Sequence, residues 1–116
     1  MDSYQQLTVW QKAMDLTTSV YELTASFPKE ERYALVDQMR RAAISVPSNI
    51  AEGKGRKSQN DFKHFLSIAR GSVNELETQI LLSERLSYAD KEKSDKIIGL
   101  ADEVGKMING LINSLC

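Results

Sequence analysis

Five cations, Arg40, Arg41, Lys54, Arg56 and Lys57, fall within eighteen consecutive residues, and the chemistry such a group can do is to hold phosphate. Arginine offers a planar fork of donors to an oxyanion, and lysine a point charge. Three of the five sit in Gly53-Lys54-Gly55-Arg56-Lys57-Ser58, a glycine-bearing turn ahead of a helix start, where free N–H groups also suit an anion. The turn lacks the Gly-x-x-x-x-Gly-Lys-Ser/Thr spacing of a nucleotide loop and follows a helix where such a loop follows a strand, so a docked polyanion or a plain solvated loop are the two readings left. Catalysis has little material. Asp61 and His64 stand three apart on one helical face, but a hydrolytic metal needs more ligands than one histidine and a terminal Cys116 provide. His64 beside Ser45 or Ser67 would need a strained nucleophile turn that is absent. No catalytic residue, metal or cofactor is expected.

With 116 residues, 41% apolar and 27% charged, the chain has the proportions of one soluble domain, residues 1–116. No window is apolar enough to span a membrane, and the start lacks a secretory pattern, so a cytoplasmic location is expected, with no membrane partner and no small-molecule substrate. The net charge of −1 conceals a division: nine basic and five acidic residues lie between Lys29 and Arg70. Such a block suits either a phosphate-binding face or a salt-bridged helix surface.

Periodicity predicts four helices and no strand. Helix one is expected over roughly Thr8 to Ser26, with Trp10, Ala13, Met14, Thr17, Val20, Tyr21 and Thr24 facing the core and Val9, Leu16 and Leu23 as a second row. Helix two is expected from about Lys29 to Glu52, Pro28 serving its first turn, with Tyr33, Val36, Met39, Ala43, Val46 and Ile50 inward. Pro47 cannot donate to the carbonyl of Ala43, which predicts a kink with Ser45 or Ser48 serving the freed groups. The competing reading stops one helix at Val46 and restarts another after Ser48. Gly53 and Gly55 offer positive φ for the stop. Helix three starts on an N-cap at Ser58 with Asp61 at N3, and runs to Leu86 or Ser87. It places Phe62, Phe65, Leu66, Ala69, Val73, Leu76 and Ile80 on one face and Ile68, Leu82 and Leu86 on another. A turn from Tyr88 to Ser94 leads to helix four, which carries Ile97, Ile98, Ala101, Val104, Ile108, Leu111, Ile112 and Leu115.

Short connections predict an all-α, antiparallel up-down-up-down four-helix bundle, with helix two kinked at Pro47. Ala42 and Ala43 should meet Ala69, Gly71 and Ser72 in a close helix contact. The extra rows, Val9, Leu16 and Leu23 with Ile68, Leu82 and Leu86, should face outward and make a homo-oligomer contact. Trp10, Tyr21, Phe62 and Phe65 would stack on bases if exposed, but their spacing favours the core.

The segment Arg40-Arg41-Ala42-Ala43-Ile44-Ser45-Val46-Pro47-Ser48-Asn49-Ile50-Ala51-Glu52-Gly53-Lys54-Gly55-Arg56 resembles the four-helix-bundle proteins of the 23S rRNA intervening-sequence family. Further likeness lies in Val9-Trp10-Gln11-Lys12-Ala13-Met14-Asp15-Leu16, Phe27-Pro28-Lys29-Glu30-Glu31 and Ala69-Arg70-Gly71-Ser72-Val73-Asn74-Glu75-Leu76. The resemblance implies a homopentamer of bacterial origin. A related branch, the accessory proteins of diversity-generating retroelements, forms a basic barrel that binds a reverse transcriptase and nucleic acid. By that likeness Arg40, Arg41, Lys54, Arg56 and Lys57 are candidates for RNA or ribonucleoprotein contact, and a protein scaffold without nucleic-acid affinity is the alternative. Ser45, Pro47, Asn49, Glu52, Gly53, Gly71 and Glu75 are the motif's structural candidates. In a purely architectural reading Arg41, Asn49, Glu52 and Glu75 form a polar network between helices two and three or across a subunit boundary.

Overall fold

Four long helices, α1 (Thr8–Thr24), α2 (Leu35–Lys54), α3 (Gln59–Arg85) and α4 (Lys91–Ser114), carry the computed structural model, with 3-10 turns at Tyr4–Gln6 and Lys29–Glu31. Residues 3–115 are described, so Cys116 lies outside them; no strand occurs among them. α1 and α3 each pack against both α2 and α4, and the α2–α3 contact is the most extensive. Partners run in opposite order along each pair. Thr17 meets Ala43 and Arg40 meets Thr24 between α1 and α2. Ser72 meets Ser45, and Ser83 meets Met39, between α2 and α3. The molecule measures 43 × 24 × 21 Å.

The buried stripe of α1 is Val9, Ala13, Leu16, Val20, Leu23 and Thr24, so Ala13, Val20 and Thr24 face inward as expected, but the row of Val9, Leu16 and Leu23, expected to face outward as a subunit contact, joins them in the core. Leu16 is sealed, whereas Met14 is 43% exposed and Tyr21 lies outward. Two rows at helical spacing compete for one core, and the compact aliphatic row wins because the larger Trp10, Met14 and Tyr21 can lie across the helix flank. On α3 the expectation for the outer row holds: Ile68, Leu82 and Leu86 are exposed. Leu66, Ala69, Val73, Leu76 and Ile80 fill the core, while Phe62 and Phe65 are only half-buried.

α2 starts at Leu35, later than periodicity suggests, and Tyr33 is 87% exposed. The turn before it is fixed from elsewhere. Phe27 tilts against Tyr88 at 5.7 Å, the Tyr88 hydroxyl donates to Glu31 Oε2 at 2.9 Å, and Ala34 at φ −123°, ψ −102° separates this turn from the helix.

α2 continues unbroken through Pro47, so the reading with a break at Val46 fails. The carbonyl of Ala43, left without its usual donor, accepts instead from Thr17 Oγ1 of α1 at 3.0 Å, a hydroxyl that also reaches Ala13 O at 2.8 Å. A neighbouring helix thus supplies what Ser45 and Ser48 were expected to supply. Gly53 and Gly55 do not use positive φ: no glycine does, and Gly55 caps α2 at φ −77°. Gly53 is a spacing residue. A Cβ there would stand 2.8 Å from Phe65 Cβ and 3.0 Å from Phe62 Cδ1, so a bare backbone lets α3 start close against the end of α2.

At the start of α3, Ser58 Oγ accepts the Asp61 N–H at 3.0 Å, as its cap pattern predicts. Its other end closes through Ser87, the one non-glycine residue with positive φ (62°) among the described residues. Ser87 N–H donates to Glu84 O at 3.0 Å and Tyr88 N–H to Ser83 O at 2.9 Å, the paired bonds that terminate a helix through a left-handed residue.

Candidate nucleic-acid interface

The helical rise sets Arg40 and Lys54, fourteen residues apart on α2, about 21 Å from each other along the axis. The five candidate cations therefore do not make one patch. They divide between the two ends of α2.

At the C-terminal end, Lys54, Arg56 and Lys57 gather at the corner where α2 hands over to α3. Arg56 Nη2 pairs with Glu52 Oε2 at 2.9 Å while its guanidinium lies 4.8 Å above the Phe65 ring; Lys54 Nζ stands 6.0 Å from Phe62. Half-buried aromatic rings thus carry the cations, which keeps the charges at the water boundary and narrows their freedom. His64 is exposed on the same first turns, edge-on to Phe65 at 5.4 Å. Asp61 is also exposed, and no group of three His, Cys, Asp or Glu residues converges for a metal among the described residues.

At the N-terminal end, Arg40 and Arg41 point to different surroundings. Arg41 is mostly exposed and pairs with Asp37 at 2.9 Å, an i, i+4 contact worth about 0.3–0.5 kcal/mol that a phosphate can displace. Arg40 is fixed by neutral groups: Nε donates to Thr24 Oγ1 at 3.0 Å, Nη2 donates to Tyr21 O at 3.3 Å, and the guanidinium covers the Tyr21 ring at 4.4 Å. It closes the C-terminal end of α1, where cations are favoured. Beside it, Lys29 and Arg32 line the same open cavity as Thr24, Ser26 and Phe27. Sequence reasoning counted these two cations in the basic block without singling them out. Their meeting with Arg40 depends on the 3-10 turn, which leaves no periodic signal.

The expected network of Arg41, Asn49, Glu52 and Glu75 does not form within the chain. Arg41 and Glu52 pair along their own helix, and exposed Glu75 accepts from Gln79 at 3.4 Å. A smaller link takes its place. Asn49 Nδ2 donates to Ser45 O and Ser45 Oγ at 2.8 and 2.9 Å, and Ser72 Oγ donates to Ser45 Oγ at 2.8 Å, tying α2 to α3 beside Pro47. Ala42, Ala43 and Ala69 are buried near this crossing, but Gly71 faces away, and a Cβ on it would meet nothing within 4 Å.

Glu77 and Asp102 bring two carboxylates together between α3 and α4. Desolvation first, then the Asp102 charge and hydrogen bond, raise the Glu77 pKa above its ordinary value, with Arg70 opposing. Tyr88 is also raised, chiefly because its hydroxyl donates to Glu31. No described helix is long and apolar enough to cross a membrane.

The pattern of the 23S rRNA-intervening sequence proteins matches residues 5–110. Among solved structures, a protein of unknown function from the S23 ribosomal protein family of Bacteroides thetaiotaomicron is similar at 25% identity and a TM-score of 0.84. The match covers 90% of this chain and 95% of that one. No curated protein matches.

Proposed function

The chain belongs to the 23S rRNA-intervening sequence protein family, and from that membership we propose a non-enzymatic homo-oligomeric scaffold, a pentamer, that engages structured RNA or a ribonucleoprotein through basic surface. The observation that carries the binding half is the α2–α3 corner, where Lys54 and Arg56 stand over the half-buried rings of Phe62 and Phe65 with exposed Lys57 next in the chain. One corner holds few phosphates. Repetition around a ring multiplies weak sites through effective concentration.

Support for assembly comes from α3, whose outer face carries Ile68, Gly71, Glu75, Leu82 and Leu86 on one stripe, three of them exposed apolar side chains. The motif's Gly71, where a Cβ would meet nothing, and Glu75, which accepts from Gln79 along its own helix, lie on this stripe, which suits the subunit-boundary form of the architectural reading.

Binding of a structured RNA should weaken steeply with salt, with a log–log slope of about −0.7 to −0.9 per phosphate contacted. The double variant Lys54→Ala/Lys57→Ala should lower that slope by about two contacts, and a flat salt response in the unaltered protein would remove the RNA reading. The second reading, a protein scaffold without nucleic-acid affinity such as a reverse-transcriptase accessory factor, is favoured by the pairing of Arg41 and Arg56 with carboxylates and by the net charge of −1. A partner retained after nuclease treatment would select it.

A further inference from the structure

The cavity at the other end of α2 combines a fixed guanidinium with two further cations and no carboxylate in its wall. Lys29, Arg32 and Arg40 line it with the hydroxyl residues Thr24 and Ser26, and none of the three cations takes part in an ion pair among the described residues. We infer that this cavity receives a terminal phosphate group, that of a nucleotide either free or at the end of an RNA strand.

Glu31 of the same turn is held elsewhere: its Oε2 accepts from the Tyr88 hydroxyl at 2.9 Å, in the connection between α3 and α4. That carboxylate is thereby kept out of the cavity wall. Arg40 is pre-positioned without being neutralised: Thr24 Oγ1 donates to Val20 O at 2.8 Å and so turns a lone pair to Arg40 Nε. An ordered guanidinium loses little freedom when an oxyanion arrives, and its fork matches phosphate. Three cations around one cavity suit the double charge of a phosphate monoester better than the single charge of a phosphodiester inside a strand. The space of about 390 Å³ lies within the range of small-ligand pockets. Phe27 and Val36 offer an apolar wall for the attached group. This site goes beyond the α2–α3 corner and requires neither RNA binding there nor a ring.

The test is a titration of the intact chain, followed by backbone amide shifts over residues 24–36, with AMP, adenosine, inorganic phosphate, and one RNA oligomer carrying either a 5′-phosphate or a 5′-hydroxyl. AMP and phosphate should saturate shifts in this segment and adenosine should not. Arg32→Ala and Lys29→Ala, both on exposed positions, should each weaken AMP by about tenfold, while Lys106→Ala, on an exposed position of α4, leaves it unchanged. Tighter binding of AMP identifies a free nucleotide as the source, and tighter binding of the 5′-phosphorylated oligomer identifies a strand end. The inference is overturned if neither AMP nor phosphate saturates, if adenosine or the 5′-hydroxyl oligomer binds this segment as well, or if Arg32→Ala leaves AMP affinity intact. Salt-independent RNA binding alongside an intact AMP response would overturn the corner reading alone.

Discussion

Thr17 is the residue through which α1 tolerates a proline in α2. Its hydroxyl is shared between Ala13 O and Ala43 O, and the second is the acceptor that Pro47 cannot serve. Thr17→Val keeps the shape and removes the donor, which should cost about 1–2 kcal/mol in chemical denaturation because Ala43 is fully buried. Pro47→Ala restores an N–H to that carbonyl, so Thr17→Val made in that background should cost less, and equal costs in the two backgrounds would disprove the coupling. Glu77 gives a second prediction. Its pKa is raised, chiefly by desolvation, with Asp102 adding to the shift. The folded state therefore holds its proton more tightly than the unfolded state does. The linked stability is present below the unfolded pKa and lost as pH rises through the folded one. At neutral pH the pair opposes folding, and Glu77→Gln should raise Tm by about 2 °C at pH 7, since so open a pair is worth about 0.5 kcal/mol. The gain should vanish below about pH 4.

Among the elements, the end of α3 shows most clearly what local rules can and cannot deliver. Ser87 occupies a left-handed conformation at φ 62° without the freedom of glycine, so Ser87→Gly should stabilise the protein by about 1 kcal/mol, read as a shift in the urea midpoint at unchanged m. The N-cap at Ser58 and the buried faces of α2 and α3 were legible because capping and 3.6-residue spacing are properties of one segment. Selection of Val9, Leu16 and Leu23 over Trp10, Met14 and Tyr21 was not. Both rows obey the period, and α2 and α4 decide which of them they cover. The start of α2 was hidden for a similar reason: Phe27 and Glu31 are held by Tyr88, some sixty residues later. For the candidate site, the cations were visible in the sequence, but their division into two groups follows from the length of α2 and from an aperiodic turn.

On the scale of the whole molecule, two unlike apolar areas among the described residues bear on assembly. One is the α3 stripe of Ile68, Leu82 and Leu86; the other is a groove between α1 and α2 lined by Tyr4, Trp10, Met14, Ile44 and Pro47. A ring requires a heterologous contact, one patch of each copy meeting a different patch of the next, whereas self-complementary patches close as dimers. A pentamer built from these areas would pair stripe with groove, and the pairing has a consequence that simple disruption does not test. Leu82→Glu removes the stripe and Ile44→Glu the groove; both side chains are exposed, so each variant should remain folded and sediment as a monomer. Mixed together, the two variants still possess one intact groove and one intact stripe between them. They should form a one-to-one dimer and nothing larger. If stripe met stripe instead, mixing would restore nothing, and Ile44→Glu alone would leave assembly untouched.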